Sequence, residues 1–487
     1  MKILFKFILC FFVGFTFSLK SEEAVSTPPN IIFIFADDMA FETISGHGET
    51  DIDTPNLDRF LKKSTRFTRA YNMGAWNGAV CIASRTMLLT GKTVWNAYSI
   101  DSAKEIHKLG QLGQTWPQWL KNAGYQTYMS GKWHIKNDPS KIFDVTKDIR
   151  PGMPQDLESG YNRPKNIHDY NKGWKPWDIT NGGFWEGGTH WSEVLANNGV
   201  EFIYEATKTE DPFFMYLAFN APHDPRQAPK SFIDLYPLDR IKVPVTYLED
   251  YPYSNEIGCG PSVRDERLAP FPRTKYAVKI NRQEYYALIT HMDEQIGRIL
   301  DALDKSGKAD STYIIFTADH GLAVGHHGFM GKQNLYEHST KVPFLVCGPD
   351  INKNHVIDEP IYLQDVMPTT LDLAGLELSK TIQFKSLLPL LKGERVKHYP
   401  SIYGGFKGIQ RSITQDNWKL IYYTYADKYR LYNLSEDPFE MNDLSKAETQ
   451  KSRLNEMKKN LIKLSEKLND PLNYEEPEAS WNKVSSK

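Results

Sequence analysis

Four short apolar runs, each followed within a few residues by ionisable side chains, constrain the fold of this chain more than any other feature. The run Asn30-Ile-Ile-Phe-Ile-Phe-Ala meets Asp37 and Asp38. The run over 125–129 leads to Lys132 and His134, that over 213–219 to His223, and that over 311–317 to Asp319 and His320. Continuous apolar runs of this length are the pattern of strands buried on both faces. Helical periodicity is seen over 116–123, 282–303 and 365–374, and a further strand is predicted over 341–346. Alternating strands and helices predict a doubly wound, mostly parallel sheet. Ligands of such sheets bind beyond the carboxyl ends of the strands, so all four polar clusters are expected to face one crevice. Asp37 and Asp38 repel each other; taken alone, the pair fits either a cation site or an N-cap beside a solvated neighbour.

The 487 residues carry 58 basic and 60 acidic side chains, a near balance that leaves no basic footprint for nucleic acid. Residues 1–18 read as a secretory signal. Lys2 and Lys6 accompany an apolar run from Ile8 to Phe17 that is short for a stable span, with a membrane anchor as the competing reading. An exported protein, periplasmic or secreted, is expected, with no stable membrane insertion. Cys81, Cys259 and Cys347 then remain, too few for a disulfide framework. The stretch over 137–198 lacks sustained periodicity but holds Trp174, Trp177, Trp185 and Trp191, and 225–275 is a second irregular excursion. Irregular segments this long usually serve function. Beyond about residue 385 the style changes, with short antiparallel strands near 418–423 and 429–433 and an amphipathic helix over 446–469 that would dock on them.

Residues 78–92 read Gly-Ala-Val-Cys-Ile-Ala-Ser-Arg-Thr-Met-Leu-Leu-Thr-Gly-Lys. A cysteine at a helix start, Cys81, sits where the helix favours negative charge, and Arg85 can fork onto the same anion. An isolated Cys-x-x-x-Arg fits a buried cysteine and a surface arginine better. This stretch, however, resembles the signature of the type I sulfatases, with Ala83 where proline is commonest. The resemblance extends over nearly the whole chain after the leader. It takes in Asp37-Asp38, Thr54-Pro-Asn-Leu-Asp, Gly131-Lys-Trp-His, Ala221-Pro-His, Thr317-Ala-Asp-His-Gly and Leu431-Tyr-Asn-Leu-Ser-Glu-Asp-Pro.

The resemblance implies an alkaline-phosphatase-like α/β sandwich with a mostly parallel central sheet, and a small C-terminal α+β subdomain with an antiparallel sheet. The expected division is a signal peptide at 1–18, a catalytic domain at 27–385 and a C-terminal subdomain at 386–487. It implies that a formylglycine-generating maturation enzyme oxidises Cys81 to 3-oxoalanine (formylglycine), whose hydrate is the nucleophile. Asp37, Asp38, Asp319 and His320 would bind one divalent ion, expected to be Ca2+. His320 replaces the asparagine of many relatives, and an imidazole also admits manganese or zinc. Arg85, Lys132 and Lys332 would bind the sulfate oxygens. His134 would take the proton of the second hydroxyl, and His223 would protonate the leaving oxygen, with Lys332 as the other candidate acid.

The expected reaction is hydrolysis of sulfate esters on a sulfated saccharide. Trp174 and Trp177 are candidates to stack on sugar rings, and His190, Arg226 and His327 to bind hydroxyls or further sulfates, with His168 and His326 as lesser ones. The alternatives are a phosphonate or phosphate ester hydrolase on the same scaffold, a small-molecule aryl or choline sulfatase, and a non-catalytic binding protein that kept the fold.

Overall fold

The computed structural model describes residues 28–154, 163–169 and 173–485. The leader expected at 1–18 lies outside the described residues. In chain order the strands of the first half are β1 (Asn30–Ala36), β2 (Thr65–Tyr71), β3 (Gly74–Ala75), β4 (Gln126–Lys132), β5 (Val145–Arg150), β6 (Trp185–Glu186), β7 (Thr189–His190) and β8 (Phe213–Ala218). Those of the second half are β9 (Thr312–Ala318), β10 (Lys341–Cys347), β11 (His355–Ile357), β12 (Ile361–Tyr362), β13 (Ile402–Phe406), β14 (Gln410–Gln415), β15 (Trp418–Tyr423) and β16 (Lys428–Asn433).

The main sheet runs β11-β2-β10-β9-β1-β8-β4-β5, with β12 also on β2. It is mostly parallel, and β10 is the strand that runs against both its neighbours. The central strand β1 is buried at every position, as its unbroken apolar run requires. One face of the sheet packs on the helix Trp116–Asn122: the Trp116 ring lies 5.1 Å from Phe33 and 5.9 Å from Tyr216. On the other face Gly199 brings the helix Trp191–Ala206 close to Leu217 of β8 and to Ile299 of the helix Lys275–Ser306. The result is a three-layer α/β sandwich.

The small sheet runs β16-β15-β14-β13-β3 and is antiparallel except for its last pair. The helix Lys451–Lys467 packs on it through Met457 and Leu461. Its outermost strand, β3, comes from a two-residue segment that ends six positions before Cys81 and has no counterpart in the sequence reading. Gly74 has φ 112°, and a Cβ there would stand 1.9 Å from the Gly405 carbonyl oxygen, so only glycine allows this pairing. The two sheets are thus tied together next to Cys81.

Two expectations need correction. The segment 137–198 is less irregular than its sequence suggests. The half-buried to exposed residues of β5 form the edge of the main sheet, and a regular helix begins at Trp191. Lys132 is the last residue of β4 rather than part of the loop after it. Cys81, Cys259 and Cys347 are free thiols. Among the described residues no helix is long and apolar enough to cross a membrane.

Candidate active site

The carboxyl ends of β1, β4, β8 and β9 converge, as the strand pattern predicts. At the end of β1 the backbone is tied to both neighbours: Asp37 N–H donates to Ala221 O, and Asp319 N–H donates to Ala36 O. Asp38 has φ 66°, and its N–H donates to Asp319 Oδ1 at 3.2 Å. Asp37, Asp38, Asp319, His320 and Cys81 each offer a ligand atom within 4.8 Å of the others, and all five are buried.

Cys81 lies in the first turn of the helix Val80–Thr90. Its Sγ is 3.3 Å from Asp37 Oδ1, 3.4 Å from His320 Nε2 and 3.3 Å from Lys332 Nζ. Burial pushes the thiol up, but Lys132 and Lys332 outweigh burial and hold it well below the usual thiol range. One helical turn later Arg85 is fully buried: Nε donates to Asp319 Oδ2 at 3.1 Å, Nη1 donates to Lys132 O at 2.8 Å, and Nη2 has no protein partner. Lys132 pairs with Asp37. Lys332 lies 2.8 Å from both oxygens of Asp38. It is 5% exposed, so it is not a surface lysine. Its loop is fixed by the Glu266 carboxylate, which accepts the Met330 and Gly331 N–H groups at 2.9 Å each.

The donor set fits a cation. Burial, then the Asp319 carboxylate and the Cys81 thiol, push Asp37 well above the usual carboxylate range despite Lys132. Burial opposes the charge on Asp38 too, but Lys332, His223 and His320 outweigh it and hold that group well below the range. His320 donates Nδ1–H to Gly321 O at 2.7 Å and turns Nε2 to Asp38 Oδ1 at 3.0 Å. Burial opposes protonation of this ring, yet Asp38 and Asp319 raise it to about 10. Hard oxygen donors around one point suit a divalent ion.

Two further imidazoles flank Cys81. His134 has φ 55°, and its ring lies against Gly152, where a Cβ would stand 2.2 Å from Cε1. Burial holds it below the usual imidazole range, and Nδ1 has no protein partner. Nδ1 of His223 lies 2.8 Å from Asp224 O and 3.1 Å from Asp224 Oδ1, which leaves Nε2 facing Asp38 at 3.7 Å. Asp224 in turn pairs with Arg264 at 3.2 Å.

Above these groups opens a cleft of about 560 Å³ lined by Cys81, His134, His223 and Lys332, with Met153, Arg264, Asp265, Gln333, Phe406 and Lys407 among its walls. None of the five residues proposed from sequence to bind saccharide lines it. His190 is fully buried, with Nε2 on Gln227 O and Nδ1 accepting the Ser192 N–H as a helix cap. His327 is buried, stacks on Tyr336 and bonds to Glu440 O. Arg226 is buried on Asn281. Trp174 bonds Glu284 under Arg163, and Trp177 lies beneath Lys230. His326 is held between Thr246 and Glu42, and His168 is exposed in the turn Ile167–Asp169. Apart from the exposed His168, these side chains are engaged by neighbouring groups of the protein. Asp224, Arg264, Gln333 and Lys407 were missed. Only Asp224, an acid directly after a candidate histidine, left a signal.

A family model described as Sulfatase matches residues 29–376, and one described as N-sulphoglucosamine sulphohydrolase, C-terminal, matches 325–467. The chain belongs to the sulfatase family and is a sulfuric ester hydrolase. It is 28% identical to an arylsulfatase of Clostridium perfringens over 89% of this chain and 94% of that one. It is 27% identical to an N-acetylglucosamine-6-O-sulfatase of Bacteroides thetaiotaomicron over 87% and 84%. Among solved structures, a protein in complex with its substrate D-glucosamine-2-N,6-O-disulfate superposes with a TM-score of 0.72 at 23% identity, covering 91% of this chain and all but 1% of that one (99%). A phosphonate monoester hydrolase from Silicibacter pomeroyi gives the same TM-score of 0.72 at 18% identity, over 90% and 95%. At these identities the two structures bear on the fold alone.

Proposed function

We propose that this chain hydrolyses a sulfate ester of a saccharide, with Cys81 as the precursor of the nucleophile. The observation that carries the reading is the position of Cys81 Sγ, within 3.4 Å of Asp37, His320 and Lys332 at the floor of the cleft. Oxidised to formylglycine, residue 81 would supply a hydrated aldehyde as the nucleophile toward sulfur. Asp37, Asp38, Asp319 and His320 would hold one divalent ion, calcium by the preference of carboxylate oxygens, which would supply positive charge to the sulfate oxygens.

The chain's own residues do the rest. Lys332 and Arg85 present positive charge beside residue 81, and Lys132 neutralises Asp37. His134 is kept neutral by burial, so a ring nitrogen is free to accept the proton released at residue 81. Asp224, held ionised by His223 and Arg264 against the opposing effect of burial, anchors His223 Nδ1 and leaves Nε2 to protonate the departing sugar oxygen. The name of one relative, an N-acetylglucosamine-6-O-sulfatase, and the size of the cleft support a sugar. An exported location fits the leader read from sequence.

The test is a panel of defined monosulfated saccharides, an aryl sulfate and a phosphonate monoester, with NMR of each product. Desulfation of a saccharide at higher kcat/KM than either small ester supports the proposal. Preference for the phosphonate overturns it in favour of the phosphonate hydrolase reading.

A further inference from the structure

Of the basic side chains lining the cleft, two are engaged by carboxylates: Lys332 by Asp38, and Arg264 by Asp224 and Asp265. Lys407 is different. It lies in the turn between β13 and β14, lines the cleft together with His223 and Arg264, and no ion pair is found for it among the described residues. Its ammonium instead stands 5.5 Å from the Phe406 ring and about 4.0 Å from where a side chain at Gly78 would begin. Gly78 lies three residues before Cys81.

The backbone of Lys407 is held rigidly for a turn residue. Its φ is 46°, a conformation costly for a residue with a Cβ. Three contacts impose it. Its N–H donates to Ala75 O of β3 at 2.8 Å, its carbonyl accepts from Arg411 Nη1 at 2.6 Å, and Arg411 is locked on Asp470 by bonds of 2.6 and 2.8 Å. A half-buried cation on a pinned backbone at the mouth of an anion-handling cleft is poised for a charge that the protein itself does not supply.

We propose that Lys407 is a specificity residue that takes a second anionic group of the substrate, a sulfate or a carboxylate on the same or the adjoining sugar. This rests on the sulfatase reading above and narrows its substrate to polyanionic saccharides. The scissile sulfate goes to the floor beside Cys81, and the second charge goes to the wall formed by the small sheet. This also gives the β3–β13 pairing a functional consequence, because it fixes the distance between the two anion positions.

The test compares the wild-type protein with Lys407→Met and Lys407→Arg on three saccharides: monosulfated, disulfated, and monosulfated with a neighbouring carboxylate. The wild type is expected to prefer at least one dianion over the monosulfated sugar, and the dianion with the larger preference identifies the group bound. Lys407→Met should lower that preference roughly ten- to a hundredfold, the scale of one charge-assisted hydrogen bond, chiefly through KM. Lys407→Arg should keep most of it, and added salt should erode it in the wild type. If Lys407→Met leaves the ratio between dianion and monoanion unchanged while the wild type desulfates all three, the inference about Lys407 fails and the sulfatase reading stands. If the wild type desulfates none of them, both fail.

Discussion

His223 Nδ1 lies 3.1 Å from Asp224 Oδ1, and the same carboxylate oxygen is 3.2 Å from Arg264 Nη2. The pairing fixes which ring nitrogen faces the cleft. It also ties His223 through Asp224 to Arg264, a residue that lies 41 positions further along the chain.

The acid role of His223 has a kinetic signature. Acid help matters most when the leaving group is poor, and a sugar hydroxyl leaves far less readily than a nitrophenol. His223→Ala should lose on the order of a hundred- to ten-thousand-fold in kcat on a sulfated sugar and much less on an activated aryl sulfate. Equal losses on both would reassign His223 to sulfate binding and move the acid role to Lys332.

Gly152→Ala tests the seat of His134. The new Cβ would stand 2.2–2.5 Å from three ring atoms, so the imidazole must move. A displacement of about 1 Å can cost roughly a hundredfold in rate. Turnover should fall on sugar and aryl substrates alike, with little change in thermal unfolding. Wild-type turnover in this variant would remove His134 from the reaction.

The strands and the clusters at their ends were legible because both depend on local pattern. A strand buried on both faces must be apolar throughout, and the first polar residue after it marks the crevice. The walls of the cleft were not legible. Arg264, Gln333 and Lys407 lie in loops whose course is set by contacts far along the chain, such as Gln333 on Asp265 and the Lys407 N–H on Ala75. The tryptophans misled for a related reason. Their composition suited sugar stacking, while their rings were already engaged by Arg163 and Lys230. The two residues of β3 are too few to carry a period at all.

Asp38→Asn and Asp319→Asn should lose bound metal and turnover together, since these carboxylates come from different strand ends and share one ligand cluster. Elemental analysis beside kinetics measures both. Chelation should silence the wild type, and added calcium should restore it. A metal-free protein with full activity would remove the ion from the reaction.

Stability should respond to acid through His327. Burial holds this imidazole at about 4 in the folded chain, below the ordinary 6.5. The folded pKa is depressed, so the unfolded chain takes up the proton first. The contribution is fully present above 6.5 and is lost as pH falls toward 4. It corresponds to roughly 3 kcal/mol at the lower end. His327→Phe keeps a ring against Tyr336 and cannot titrate, so its unfolding free energy should fall less than that of the wild type between pH 7 and 4. Parallel pH profiles in urea titrations would exclude His327 as the source.

The role of Cys81 is tested most directly by the mass of the tryptic peptide from Ala70 to Arg85, taken from active protein made in a host with a formylglycine-generating enzyme. An aldehyde at position 81 is predicted, together with complete loss of turnover and unchanged thermal unfolding in Cys81→Ala. An unmodified thiol in fully active protein, or near-normal turnover in Cys81→Ala, would contradict it.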